Sequence, residues 1–141
     1  MKGKEKKKRD KINNMRIIVL DTNFLIDIIR FKIDLDELDR LFLHPFELFT
    51  LDSAIRELEK ISKTKSQESK YAKVALELLK IRKIKILKVR ETPDKAILSL
   101  ANGKTNENIV VATNDIELRK KLKRLGTKTI YLKSKKQLDI S

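Results

Sequence analysis

Residues 17–20, Ile-Ile-Val-Leu, contain no polar position, and the chain passes from them directly into Asp21-Thr22-Asn23. Three of the four are β-branched, the shape that packs on a pleated surface. A run apolar on both faces suits a strand covered by a layer on each side, as in a parallel sheet, rather than one with a wet face. Ile109-Val110-Val111-Ala112 repeats the pattern and runs into Thr113-Asn114-Asp115. A helical apolar stripe follows each run. The first is Phe24, Leu25, Ile28 and Ile29; the second is Ile116, Leu118, Leu122 and Leu125, ending at Gly126. Strands alternating with helices predict an α/β domain with a parallel sheet and helices on both faces. If the two most apolar strands are central neighbours, the strand order reverses between them. A crevice then opens at their carboxyl ends, where open α/β sheets place ligands. Asp21 and Asp115 both fall in that crevice.

The remaining pattern completes a single three-layer domain over residues 15–133, with about five strands. Helices are expected at about 23–31 and 35–43, then a short strand at Glu47–Thr50. Asp52 or Ser53 caps a helix with the stripe Ala54, Ile55, Leu58 and Ile61. Residues 62–69 are polar, and a helix through Tyr71, Val74, Ala75, Leu78 and Leu79 follows. Residues 84–89 interleave apolar residues with lysines, as an edge strand does. Thr92-Pro93-Asp94 marks a helix start: a cap, a proline at the first helical position and an acid in the first turn. The last strand is Thr129–Leu132, and residues 134–141 read as a loose end. Residues 1–14 have almost no apolar content and read as a disordered basic tail.

Several chemistries are excluded outright. The chain has no cysteine, so disulfides, thiolate zinc sites and thiol catalysis are absent. No apolar run approaches the ~18 residues needed to span a bilayer. Asp21 interrupts the apolar segment that a signal peptide would need, so a cytoplasmic location is expected. The one histidine, His44, precedes Pro45 between elements and reads as structural, which leaves histidine acid–base catalysis without support.

The net charge is +14. Residues 1–11 set seven Lys/Arg against Glu5 and Asp10 and so carry +5 of it, leaving +9 on residues 12–141. A body of that sign concentrates polyanions, nucleic acid foremost. No amphipathic helix pairs the lysines with bulky aromatics, so no membrane partner is expected. Lys63, Lys65 and Lys70 in the polar stretch are candidate nucleic-acid contacts, whereas Arg119, Lys120, Lys123 and Arg124 read as the wet face of the last helix. No aromatic platform for stacking bases is visible, so backbone contacts should outweigh base readout.

Each acid has an ordinary structural reading when taken alone. Asp115 suits a helical first turn, with Asn114 and Glu117 in reciprocal capping positions. Asp94 is favoured by the helix dipole, and Glu57 could pair with Lys60 one turn on. Together, however, Asp21, Asp94 and Asp115 all sit where a strand or loop hands over to a helix. Glu57 and Glu59 flank opposite sides of one helical stripe, and periodicity does not choose between them. Carboxylates gathered in one place repel unless cations neutralise them, and all-oxygen ligands favour Mg²⁺ or Mn²⁺ over zinc.

The pattern resembles the PIN-domain family of metal-dependent ribonucleases over residues 15 to about 132, in both order and spacing. Asp21 in Leu-Asp-Thr-Asn, Glu57 in Ile-Arg-Glu-Leu, Asp94 in Asp-Lys-Ala-Ile and Asp115 in Ala-Thr-Asn-Asp carry it. The resemblance favours Glu57 over Glu59. It is nearest to the short archaeal type, similar to ribosomal-RNA-processing PIN nucleases and VapC-type toxins. What it implies is an endoribonuclease in which Asp21, Asp94 and Asp115 bind Mg²⁺ or Mn²⁺ and Glu57 is a ligand or orients the attacking water. Asn23 and Thr113 would hold the carboxylates in position, and the products would carry a 5′-phosphate and a 3′-hydroxyl. It further implies RNA as substrate, an antitoxin or a pre-ribosome as partner, and a homodimer. Many relatives have another acid directly after the third one. This chain has Lys95 there, which leaves one metal or two open. A phosphate-accepting receiver would need paired acids after the first strand, and a haloacid-dehalogenase-like phosphatase an aspartate in place of Asn23. A catalytically silent RNA-binding or assembly module on the same fold is the alternative from another class.

Overall fold

Arg16–Leu20 forms the strand at the centre of the computed structural model, which describes residues 15–103, 108–135 and 137–141. The tail expected at residues 1–14 lies outside the described residues. In chain order the first half holds β1 (Arg16–Leu20), α1 (Thr22–Arg30), a 3-10 turn (Leu35–Glu37), α2 (Leu38–Leu41), β2 (Phe46–Leu51) and α3 (Asp52–Ser62). The second half holds α4 (Glu68–Ile81), β3 (Lys85–Leu87), α5 (Pro93–Ala101), β4 (Ile109–Ala112), α6 (Ile116–Arg124), β5 (Lys128–Ser134) and β6 (Gln137–Ile140).

The sheet order is β3-β2-β1-β4-β5-β6. β1 pairs in parallel with both β2 and β4, with Ile18 opposite Leu48 on one side and Val110 on the other. The chain winds outward from β1 in one direction and from β4 in the other, so the order reverses between them as expected. Alternation along β1 sends Ile18 and Leu20 into one core layer, with Phe24, Leu25 and Ala75, while Val19 joins Ile97, Val111 and Leu122 in the other. That two-sided burial is why the strand needs no polar position. α3 contributes Ala54 to one layer and Leu58 to the other.

Three expectations change. Neither Asp52 nor Ser53 caps α3, which begins at Asp52 behind Leu51. The end from residue 134 is not loose: β6 runs antiparallel to β5, Leu138 is buried in the core with Ile130, and Ser141 exchanges both backbone hydrogen bonds with Thr129 (2.8 and 2.9 Å). The sheet therefore has six strands, the last antiparallel. The segment Gln-Leu-Asp-Ile is too short and polar to announce itself, and what holds it is the otherwise unpaired edge of β5. The single helix expected at 35–43 is a 3-10 turn capped by Asp34, whose side chain accepts from Asp36 N at 2.9 Å, followed by one turn of α2.

Candidate functional site

The site begins where β1 meets α1. Asp21 keeps an extended backbone (φ −80°, ψ 157°), and its N–H donates to Ala112 O at 2.9 Å, so its main chain is still tied to β4. Its Oδ1 accepts from Thr22 N at 2.9 Å, making it the N-cap of α1. Leu20 lies opposite Ala112 in the ladder, so the next residues, Asp21 and Thr113, come side by side. Thr113 Oγ1 donates to Asp21 Oδ2 at 2.8 Å, and Asn23 Nδ2 donates to the same oxygen at 3.1 Å. Asn114 N holds Asn23 in turn, donating to its Oδ1 at 2.9 Å. The two residues expected to steady the first carboxylate, Asn23 and Thr113, are thus its direct partners.

Asp21 is only 3% exposed. Burial pushes its carboxyl from the ordinary 3.8 up to about 6; the Thr113 and Thr22 hydrogen bonds oppose the rise, and the charges of Asp94 and Glu57 add to it. Three of the four expected acids therefore share one electric field. Glu57 is the α3 acid that turns this way, with Oε2 accepting from Thr22 Oγ1 at 3.1 Å; Glu59 makes no such contact. Asp94 stands exposed in the first turn of α5, after Thr92 as cap and Pro93 at its start. Among the described residues no Lys or Arg is ion-paired to Asp21, Glu57, Asp94 or Asp115.

Asp115 is joined to this group through Thr113, whose hydroxyl accepts from Asp115 N at 3.2 Å. It is the N-cap of α6 rather than a first-turn acid: Oδ1 accepts from Glu117 N (3.0 Å) and Leu118 N (3.2 Å). Asn114, expected to cap, instead ties three elements together. Its Nδ2 donates to Asp27 Oδ2 on α1 and its Oδ1 accepts from Leu132 N on β5, both at 2.8 Å. With the side chains as they stand, no three of His, Cys, Asp or Glu among the described residues form a group that would hold a metal ion. The donor chemistry nevertheless fits a hard divalent cation. It is all oxygen, has no thiolate or imidazole, and includes a buried acid with acidic neighbours and no basic counter-charge. His44 is exposed on the turn between α2 and β2.

Beside the acids lies a cleft of about 550 Å³ between α3 and the segment leading into α5, lined by Arg56, Glu57, Lys60, Arg90 and Asp94 among others. Its three cations were not gathered into one place by sequence reasoning, though a signal was present. Arg56 and Lys60 flank Glu57 on one helical face, and Arg90 directly follows the expected third strand. Lys63, Lys65 and Lys70 are exposed around the α3–α4 connection, outside this lining.

The family model described as "PIN like domain" matches residues 18–135. Ribonuclease VapC4 of Methanocaldococcus jannaschii is 38% identical over 126 residues, covering 87% of this chain and 95% of that protein. The PIN domain endonuclease Utp24 has a similar fold, with a TM-score of 0.72 at 22% identity over 89% of this chain and 90% of that one. With the matched model covering most of the chain, including β4 and all four acids, this chain belongs to the PIN-like domain family.

Proposed function

We propose that this protein is a divalent-metal-dependent endoribonuclease that hydrolyses RNA phosphodiester bonds at the Asp21 crevice. The observation that carries this reading is the Asp21 carboxyl, 3% exposed, with the charges of Glu57 and Asp94 acting on it and no ion-paired Lys or Arg among the described residues. An acidic pocket on a chain of net charge +14 suits a cation and a polyanion together. RNA is favoured as the substrate because the 38% identical relative is named a ribonuclease.

Asp21, Asp94 and Asp115 would hold Mg²⁺ or Mn²⁺, with Glu57 as a further ligand or as orienter of water. When bound, the ion supplies an activated water and neutralises charge developing on the phosphate. The chain's own part is positional. Thr113 and Asn23 fix Asp21 Oδ2, Thr22 fixes Glu57 Oε2, and the α6 cap uses Asp115 Oδ1 and leaves Oδ2 for ligation. Glu57 Oε1, free of the Thr22 bond, would orient the attacking water. The water oxygen bonds to phosphorus as the P–O3′ bond breaks, and the leaving 3′-oxygen takes up the proton the water gives, leaving 5′-phosphate and 3′-hydroxyl ends. The biological setting is ribosomal-RNA processing, with a pre-ribosome as partner, or a VapC-type toxin held by an antitoxin, the chain acting as a homodimer in the cytoplasm. Lys63, Lys65 and Lys70 would extend the grip on RNA.

Incubation with total RNA and Mn²⁺ is expected to give discrete cuts that a chelator stops and that Asp21→Asn abolishes with the circular-dichroism spectrum unchanged. Cutting that persists through both changes rejects the mechanism. A catalytically silent RNA-binding module, the reading favoured by the lack of a ready-made group of three acids among the described residues, would show salt-sensitive binding and no cuts.

A further inference from the structure

The cleft next to the acids has a feature that the hydrolytic reading leaves unused. Ser53, Arg56, Glu57 and Lys60 recur at helical spacing along one face of α3 and form one wall. Arg90 and the start of α5 form the other. Ser53 lines the cleft but is only 8% exposed; its Oγ is turned away from solvent and has no hydrogen-bond partner among the described residues. A buried hydroxyl left unpaired costs free energy unless something arrives to pair with it.

The cations differ in their commitments. Arg56 is held by Asp52, Nη1 to Oδ2 at 3.3 Å. Among the described residues Lys60 and Arg90 form no ion pair. Of the acids in the lining, Glu57 and Asp94 belong to the Asp21 group, and Glu91 already accepts from Ser99 Oγ at 3.1 Å. The opposite wall is braced, because Asp52 Oδ1 accepts from Val89 N at 2.9 Å and so pins the segment before Arg90 to the start of α3. At α5 the cap Thr92 makes no side-chain hydrogen bond to the first turn, so the helix presents uncapped N–H groups there.

We propose that this cleft is a phosphodiester subsite: it seats the RNA phosphate adjoining the one that is cut, with Lys60 and Arg90 against its charge and Ser53 Oγ turning about χ1 from its closed position to donate to it. The inference rests on the ribonuclease reading, since Glu57 and Asp94 border both places and a strand crossing the acids must continue somewhere. Phosphate contacts of this kind set the register of the strand without reading its bases.

The test measures anisotropy of a fluorescein-labelled, mixed-sequence single-stranded RNA in the Asp21→Asn background, which leaves the RNA uncut, across a salt series. Lys60→Gln/Arg90→Gln is expected to weaken binding roughly tenfold and to flatten the log–log salt slope by about 0.7, the value for one single-strand phosphate no longer neutralised. Removing equal charge at the carboxyl end of α4, by Lys80→Gln/Lys83→Gln, should change neither. Ser53→Ala should weaken binding several-fold while the melting temperature holds or rises, because the variant loses an unpaired hydroxyl. A Lys60/Arg90 variant that binds no worse than the α4 control, or a Ser53→Ala protein of unchanged affinity, overturns the subsite while wild-type cleavage leaves the enzyme reading standing. Failure of the parent protein to bind or cut RNA at all overturns both.

Discussion

Asp21 binds its proton more tightly in the folded chain than in the unfolded one, because its carboxyl stands at about 6 instead of the ordinary 3.8. The sign follows from linkage. The cost of ionising it is absent below about pH 4, grows as the pH rises through the window to 6, and is present in full above that. At about 1.4 kcal/mol per pH unit the full cost is on the order of 3 kcal/mol. In chelator-treated protein, Asp21→Asn, which still caps α1, is therefore expected to raise the free energy of urea unfolding at pH 7.5, with the gain vanishing near pH 4. No gain at pH 7.5 would mean that the carboxylate is already compensated within the chain. Added Mn²⁺ should then stabilise wild type by about 2.7 kcal/mol at a hundredfold excess over Kd, and the variant far less. Asp21 and its role at a strand end were legible in the sequence from the apolar run before it. Its pKa was not, since that depends on burial and on acids 36 and 73 residues away.

At the scale of elements, α6 shows how one side chain combines a structural and a chemical task. Asp115 is both cap and expected ligand, and two substitutions separate the tasks. Asp115→Ala should cost about 1 kcal/mol in thermal unfolding as well as cleavage, whereas Asp115→Asn keeps the cap and the stability and loses cleavage alone. Equal stability of the two would show that the cap contributes nothing. Asn114 and Asp115 are both good caps, one residue apart, and the Asn114–Glu117 spacing pointed to the wrong one. Asp27 and Leu132, which engage Asn114 from α1 and β5, decide it. β6 was hidden for a related reason, its single deep anchor being Leu138. Leu138→Ala should lower unfolding stability by roughly 2–5 kcal/mol, a loss that a loose tail would not show.

Across the whole molecule, Asp21, Glu57 and Asp94 share one electric field on a strongly basic chain. RNA affinity should therefore fall steeply with salt while the cleavage rate of bound RNA changes little. Removing residues 2–11, which carry +5, should weaken binding at low salt and leave single-turnover cleavage at saturating enzyme unchanged. A matching loss in that single-turnover rate would place the tail at the reacting bond instead.

The sequence by itself determined the parallel central pair of strands, the reversal between them and the meeting of Asp21 with the Thr113–Asp115 turn. These follow from short-range periodicity, since a strand apolar on both sides has one stable environment. Only tertiary structure supplied the contact that turns Glu57, which periodicity did not choose over Glu59, toward the Asp21 crevice, set Arg90 across a cleft from Lys60, and closed the sheet with the final residues. Each of these rests on contacts between residues far apart along the chain, as Thr22 with Glu57 across 35 positions. No local pattern encodes such a distance; it is set only when the packed core brings the elements together.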